Sequence, residues 1–166
     1  MKRLIMTILA SAALCFAAEA QSDLKKVYDE SIDPMNQIDK AIAKADKDGK
    51  FVICQVGGNW CRWCLMFADF ISKDSEITEL IDKNFEYIHV NFNPRERNDE
   101  AKMKKAETML ARLGNPGRFG YPVFVVLDGD GKVIHIQDSS LLEEGNGYNK
   151  SKVMRFFSNW TPEAVK

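Results

Sequence analysis

The sequence predicts an α/β domain with a central mixed sheet and helices on both faces. Three observations carry this. Runs with apolar residues every three or four positions alternate with short β-rich apolar runs. The order is helix, strand, helix, strand, helix, then a hairpin and a last helix, which packs as helices around a sheet. The chain has 166 residues with 45% hydrophobic and 28% charged side chains, enough for one ordinary globular core and too apolar for disorder.

Asp33-Pro34 opens the first helix, Asp33 as cap and Pro34 in the first turn. Met35, Ile38, Ala41, Ile42 and Ala45 line one face, and Gly49 ends it. Residues 51–56, Phe-Val-Ile-Cys-Gln-Val, read as a buried strand. Gly57-Gly58-Asn59 is a turn, after which a helix begins near Cys61 and carries Met66, Phe67 and Phe70 inward. Ile77, Leu80 and Ile81 mark a short helix over 75–83, and residues 85–92 a strand. Residues 98–113 make the longest amphipathic helix, with Asn98 as cap, Met103, Ala106, Leu110 and Leu113 on one face, and Gly114 as stop. Pro122 opens a strand over 122–127, Asp128-Gly-Asp-Gly131 turns it, and 132–137 is the return strand. A polar loop with Gly145 and Gly147 leads to a helix bearing Val153, Phe156, Phe157 and Trp160.

Ahead of this domain, Lys2 and Arg3 precede an apolar stretch over 5–18, and Ala18-Glu19-Ala20 offers a cleavage site. Residues 1–20 therefore read as a secretory signal, and 21–33 as an N-terminal extension of a domain over 34–166. Fourteen helical residues reach only about 21 Å, short of a bilayer span, so the mature chain is not expected to be membrane-embedded. Export places Cys54, Cys61 and Cys64 in a disulfide-permissive compartment, periplasmic or secreted. With 23 basic and 24 acidic residues and a net charge of -1, nothing favours nucleic acid as a partner.

The chemistry concentrates at Trp60-Cys61-Arg62-Trp63-Cys64. Two cysteines separated by two residues at a helix start can close a small disulfide ring. Unsatisfied backbone N–H groups and the helix dipole stabilise a thiolate at Cys61, and Arg62 adds positive charge nearby. Cys61 is then the nucleophile, and Cys64, one turn on, resolves the mixed disulfide. A zinc site would need four ligands, and beyond the pair only Cys54, His89 and His135 are on offer, all inside strands. Covalent haem attachment would need a histidine where Leu65 stands. A purely structural disulfide this small would constrain little of the unfolded chain. Cys54 reads as an inert core thiol, and His89 and His135 as strand residues. Trp60 and Trp63 border the pair, either as groove walls or, for Trp60, as packing. Arg95, Arg97, Lys102, Lys104 and Lys105 read as a solvated basic face.

With these residues in view, the sequence resembles the thioredoxin superfamily over about residues 35–160. The resemblance rests on the strand at 51–56, the Trp-Cys-Arg-Trp-Cys motif, and Gly120-Tyr121-Pro122 opening a strand that ends in the Asp-Gly-Asp-Gly turn. It is most similar in type to secreted thioredoxin-like disulfide reductases with a Trp-Cys-x-Trp-Cys site. The resemblance implies a thioredoxin fold and dithiol–disulfide exchange with protein substrates, with no metal or organic cofactor. It implies a cis Tyr121-Pro122 bond beside Cys61 and Cys64, with Trp60, Arg62, Trp63, Tyr121 and Pro122 contacting substrate. It also implies a membrane-bound thiol relay as electron donor. Three departures stand out. Gln55 occupies the place of the family's buried acid, Arg62-Trp63 replaces Gly-Pro, and residues 94–117 form a helical insertion before the proline loop. Reductase, the reverse direction as oxidase or isomerase, and a non-catalytic binding or assembly module all remain open on the sequence.

Overall fold

In the computed structural model, residues 24–96 and 98–166 are described; the signal expected over 1–20 and Arg97 lie outside them. The elements are α1 (Pro34–Asp48), β1 (Phe51–Gly57), α2 (Arg62–Lys73), α3 (Ser75–Asn84) and β2 (Phe85–Asn91), followed by α4 (Glu100–Arg112), β3 (Val123–Leu127), β4 (Val133–Asp138), β5 (Glu143–Glu144), β6 (Gly147–Tyr148) and α5 (Lys150–Asn159). The main sheet runs β2-β1-β3-β4, with β1 parallel to β2 and antiparallel to β3, and β3 antiparallel to β4. The mixed sheet of a thioredoxin fold is therefore present.

Strand alternation splits the core in two. Val52, Cys54 and Val56 of β1 point to one face, where Ile38, Ala41 and Ala45 of α1 and Met109 of α4 cover them. Ile53 points to the other, beneath Phe67 and Ile71 of α2, Ile77 and Ile81 of α3, and Val153, Phe156 and Phe157 of α5. Gln55 shares that second face and is fully enclosed, the one site in β1 where alternation buries a polar side chain.

Most expected elements appear within a residue or two of their expected ends. Asp33 caps α1 by accepting from the amides of Met35 and Asn36, and Gly49 closes it at φ 66°. Four readings need correction. The cap of α4 is Asp99, which accepts from the Lys102 amide, and not Asn98. Of the face expected for α4, Leu113 is fully buried, while Met103, Ala106 and Leu110 are only half covered and Met109, outside that face, is the other buried anchor. In α2, Leu65, Phe67, Ala68 and Ile71 face inward, and Met66 and Phe70 lie at the margin. The polar loop after β4 holds a short 3-10 turn over 139–142 and the β5–β6 ribbon. The two helix-face corrections share one cause: periodicity marks a stripe, and the neighbouring layer decides which edge of it is covered.

Candidate active site

Cys61 and Cys64 sit at the junction of β1 and α2. The strand ends at Gly57, the chain turns through Asn59, and Cys61 takes the N-cap position of α2 with an extended backbone. The two sulfurs form a disulfide with the Cα atoms 5.2 Å apart. The Cys64 amide donates to Cys61 Sγ at 3.2 Å, so a backbone N–H at the positive helix end already points at that sulfur. The first turn of α2 carries no acidic residue to oppose a negative charge there. Cys61 retains 7% exposure and Cys64 none, so any attack from outside meets Cys61.

The close approach depends on glycine. A Cβ at Gly57 would collide with both the Cys64 sulfur and the Tyr28 hydroxyl, and one at Gly58 would strike the Trp60 indole nitrogen. Trp60 donates through that nitrogen to the Phe92 carbonyl at 2.7 Å, while the Phe92 amide donates to Gly57 O at 2.6 Å. The Trp60 ring meets Tyr121 edge-on at 5.7 Å, and Tyr121 stacks on Phe92 at 5.1 Å. Trp60 is thus held by packing and a hydrogen bond and still forms part of the rim. Trp63 meets Tyr148 edge-on at 5.6 Å, and the Tyr148 hydroxyl donates to the Trp63 carbonyl at 3.1 Å.

The structure brings Trp60, Cys61, Trp63, Cys64 and Tyr121 into one cluster. The Tyr121-Pro122 peptide is cis, with Pro122 buried. Arg62 projects to solvent. Cys54 is a free, enclosed thiol that burial pushes up to about 12. His89 and His135 lie in β2 and β4 as expected. In the basic stretch, Lys102 pairs with Glu96 and Lys105 with Asp33, so part of its charge is neutralised within the fold.

Sequence reasoning missed Tyr28, Asn59, Tyr87, Phe92 and Tyr148 as site residues. Gln55 Nε2 donates to the Tyr28 hydroxyl at 2.8 Å and to the Cys64 carbonyl at 2.9 Å, and its Oε1 accepts from the Tyr87 hydroxyl at 2.6 Å. Burial pushes the Tyr28 and Tyr87 phenols far above their ordinary range. The neutral amide is therefore a full hydrogen-bond hub and not an empty replacement for an acid.

The Thioredox_DsbH family, described as a protein of unknown function, DUF255, matches residues 15–156. The chain belongs to this family. A crystal structure described as a disulphide isomerase from Xylella fastidiosa Temecula1 is 28% identical, covering 82% of this chain and 97% of its own, with a TM-score of 0.65. A structure described as DsbH oxidoreductase is 21% identical over 72% of this chain and 78% of its own, TM-score 0.52. A thioredoxin from Thermus thermophilus is 16% identical over 73% of this chain and 81% of its own, TM-score 0.50. These last two speak for the fold alone. No curated protein matches the chain. Family, fold and the Cys61–Cys64 disulfide make this Thioredox_DsbH member a protein of the thiol–disulfide oxidoreductase type.

Proposed function

We propose that this protein reduces disulfides of secreted proteins outside the cytoplasm, with Cys61 as nucleophile and Cys64 as resolving thiol. The observation that carries the reading is the Cys61 sulfur itself: it is the more exposed of the pair, caps α2, and receives the Cys64 amide. In the dithiol form the same N–H and the helix dipole stabilise a Cys61 thiolate. That thiolate attacks a substrate disulfide, one substrate sulfur leaves, and a mixed disulfide forms. Cys64 then attacks Cys61 Sγ, releases the second substrate sulfur and leaves the Cys61–Cys64 disulfide. Trp60, Trp63, Tyr121 and Pro122 border the pair and suit an extended protein segment, with Arg62 at its edge. A membrane-bound thiol relay is the proposed donor that restores the dithiol. The signal sequence over 1–20 supports export, with 21–33 as an extension of the domain. Among the described residues no helix is long and apolar enough to cross a membrane.

A second reading is the reverse direction, as isomerase or oxidase; the isomerase form is favoured by the 28% identical structure, which is described as a disulphide isomerase. The reduction potential separates the two: a value near about -270 mV supports the reductase and one near about -120 mV the oxidising direction. Insulin reduction by the wild type and by Cys61→Ser tests catalysis itself. The variant is expected to lose essentially all activity; equal turnover would leave only a thioredoxin-fold binding or assembly module.

A further inference from the structure

The resolving step requires Cys64 to act as a thiolate, and it is fully enclosed. Burial alone is unfavourable to that charge, as the equally enclosed Cys54 illustrates, its thiol pushed up to about 12. Nor does the interior hold a carboxylate: among the described residues the buried polar side chains are Gln55, Ser139 and Thr161. Some neutral donor must offset the cost.

Tyr28 is built into the position where such a donor is needed. Its amide donates to Asn59 Oδ1 at 3.2 Å and its carbonyl accepts from Asn59 Nδ2 at 2.8 Å, so the turn before Trp60 grips residue 28 on both sides. Its ring packs with Cys61, Cys64 and Leu65, and only 4% of the residue is exposed. The hydroxyl oxygen and Cys64 Sγ border the same point beside Gly57, where neither leaves room for a Cβ. The Gln55 amide is oriented by its partners: its oxygen accepts from Tyr87, so its nitrogen donates to Tyr28 and to the Cys64 carbonyl. A phenol has one proton to give, and Tyr28 receives from Gln55, so that proton remains to be donated.

We infer that the Tyr28 hydroxyl donates a hydrogen bond to the Cys64 sulfur in the dithiol form and positions it as the resolving thiolate. The inference rests on the dithiol reading above. Cys64 gives its proton to water, and its lone pair attacks Cys61 Sγ. The Cys61–Cys64 bond forms while the bond from Cys61 to the substrate sulfur breaks, and that sulfur leaves as a thiolate protonated by solvent. The substrate gains the two electrons that the dithiol loses. Tyr28 keeps its proton throughout, because its buried phenol ionises only far above neutrality. The ionisable groups near Cys64 include Tyr28 from the N-terminal segment, Cys61 from the helix start and Tyr121 from the proline loop, with Tyr87 and His89 of β2 behind Gln55 and the Tyr28 ring, Tyr148 from β6, Arg62 exposed on α2, and Glu30, which accepts from Asn59 Nδ2 at 3.1 Å. Of these only Glu30 is a carboxylate, and it is exposed at the surface side of Asn59.

The test is Tyr28→Phe in the full-length chain, which keeps the ring and removes the hydroxyl. Alkylation of Cys64 against pH, mapped by mass in a Cys61→Ala background, is expected to shift its midpoint up by about one pH unit or more, the size of a hydrogen bond to a charged group. Resolution of a mixed disulfide between Cys61 and glutathione is expected to slow about ten-fold at pH 7. In a Cys64→Ala background the Cys61 midpoint is expected below about 8.5 with or without Tyr28→Phe, a control that a general loss of structure would fail. An unchanged Cys64 midpoint overturns the inference, whatever the variant's melting temperature. With Tyr28 intact, a Cys64 that titrates as high as Cys54 overturns it as well. Both readouts are independent of insulin turnover, so an inactive wild type would defeat the proposed function without deciding this point.

Discussion

Gln55 and His89 pair across β1 and β2, and both put polar atoms into an apolar layer. Gln55 satisfies its amide through Tyr28, Tyr87 and the Cys64 carbonyl. His89 meets Tyr28 and Tyr87 edge-on at 5.3 and 5.4 Å, and its Nε2 is buried without a hydrogen-bond partner among the described residues. Burial disfavours the charged ring and lowers its pKa from 6.5 to about 4. Between those values the unfolded chain binds the extra proton and the folded chain does not. Stability held above about pH 6.5 is therefore lost as pH falls, and the loss levels off below about pH 4, reaching roughly 3 kcal/mol. Urea unfolding at pH 7 and pH 4.5 is expected to show this drop in the wild type and a smaller one in His89→Leu. Equal drops in both would refute the assignment. Cys54, Gln55 and His89 were readable as strand positions, but Gln55's two phenol partners stand 27 and 32 residues away, beyond the reach of any local pattern.

At the level of elements, α4 is the clearest test of packing against pattern. Its sequence shows a stripe of four apolar positions, of which only Leu113 is fully buried; the helix docks through it and through Met109 outside the stripe, in one cluster with Val123, Val125 and Leu127 of β3. Arg112 pairs with Asp39 and Lys105 with Asp33, tying α4 to α1 at the surface. Exposed pairs of this kind contribute little, so the apolar anchors hold the helix. Met109→Ala is expected to cost about 2–5 kcal/mol, and Met103→Ala distinctly less, in urea unfolding. Similar losses at both positions would restore the sequence-derived face. The caps, by contrast, were largely visible in advance. Asp33, Gly49 and the helix start at Cys61 follow from contacts within a turn of the chain, where local spacing carries the information.

For the molecule as a whole, the site joins segments far apart in the chain: residues 24–28, the β1–α2 turn, the start of the β2–α4 connection at Phe92, the proline loop and Tyr148. The N-terminal segment matters most here, since its Tyr28 packs with Cys61 and Cys64 from ahead of the domain expected over 34–166. A signal cleaved before Gln21 would leave that segment attached. N-terminal sequencing of the exported protein is expected to start at Gln21; an intact Met1 would count against export by this route.

Composition, the alternation of helical and strand periods, the Cys-x-x-Cys spacing and Tyr121-Pro122 before a strand were enough to reach the fold class and the two sulfurs, because each depends on neighbours within a few residues. The tertiary structure alone decided that Gln55 is a saturated hub, that Tyr28 borders Cys64 across Gly57, and that Phe92 and Tyr148 hold the two tryptophans. Those contacts arise where strand register and layer packing bring distant segments together, and polar groups excluded from water must pair with whatever that packing supplies.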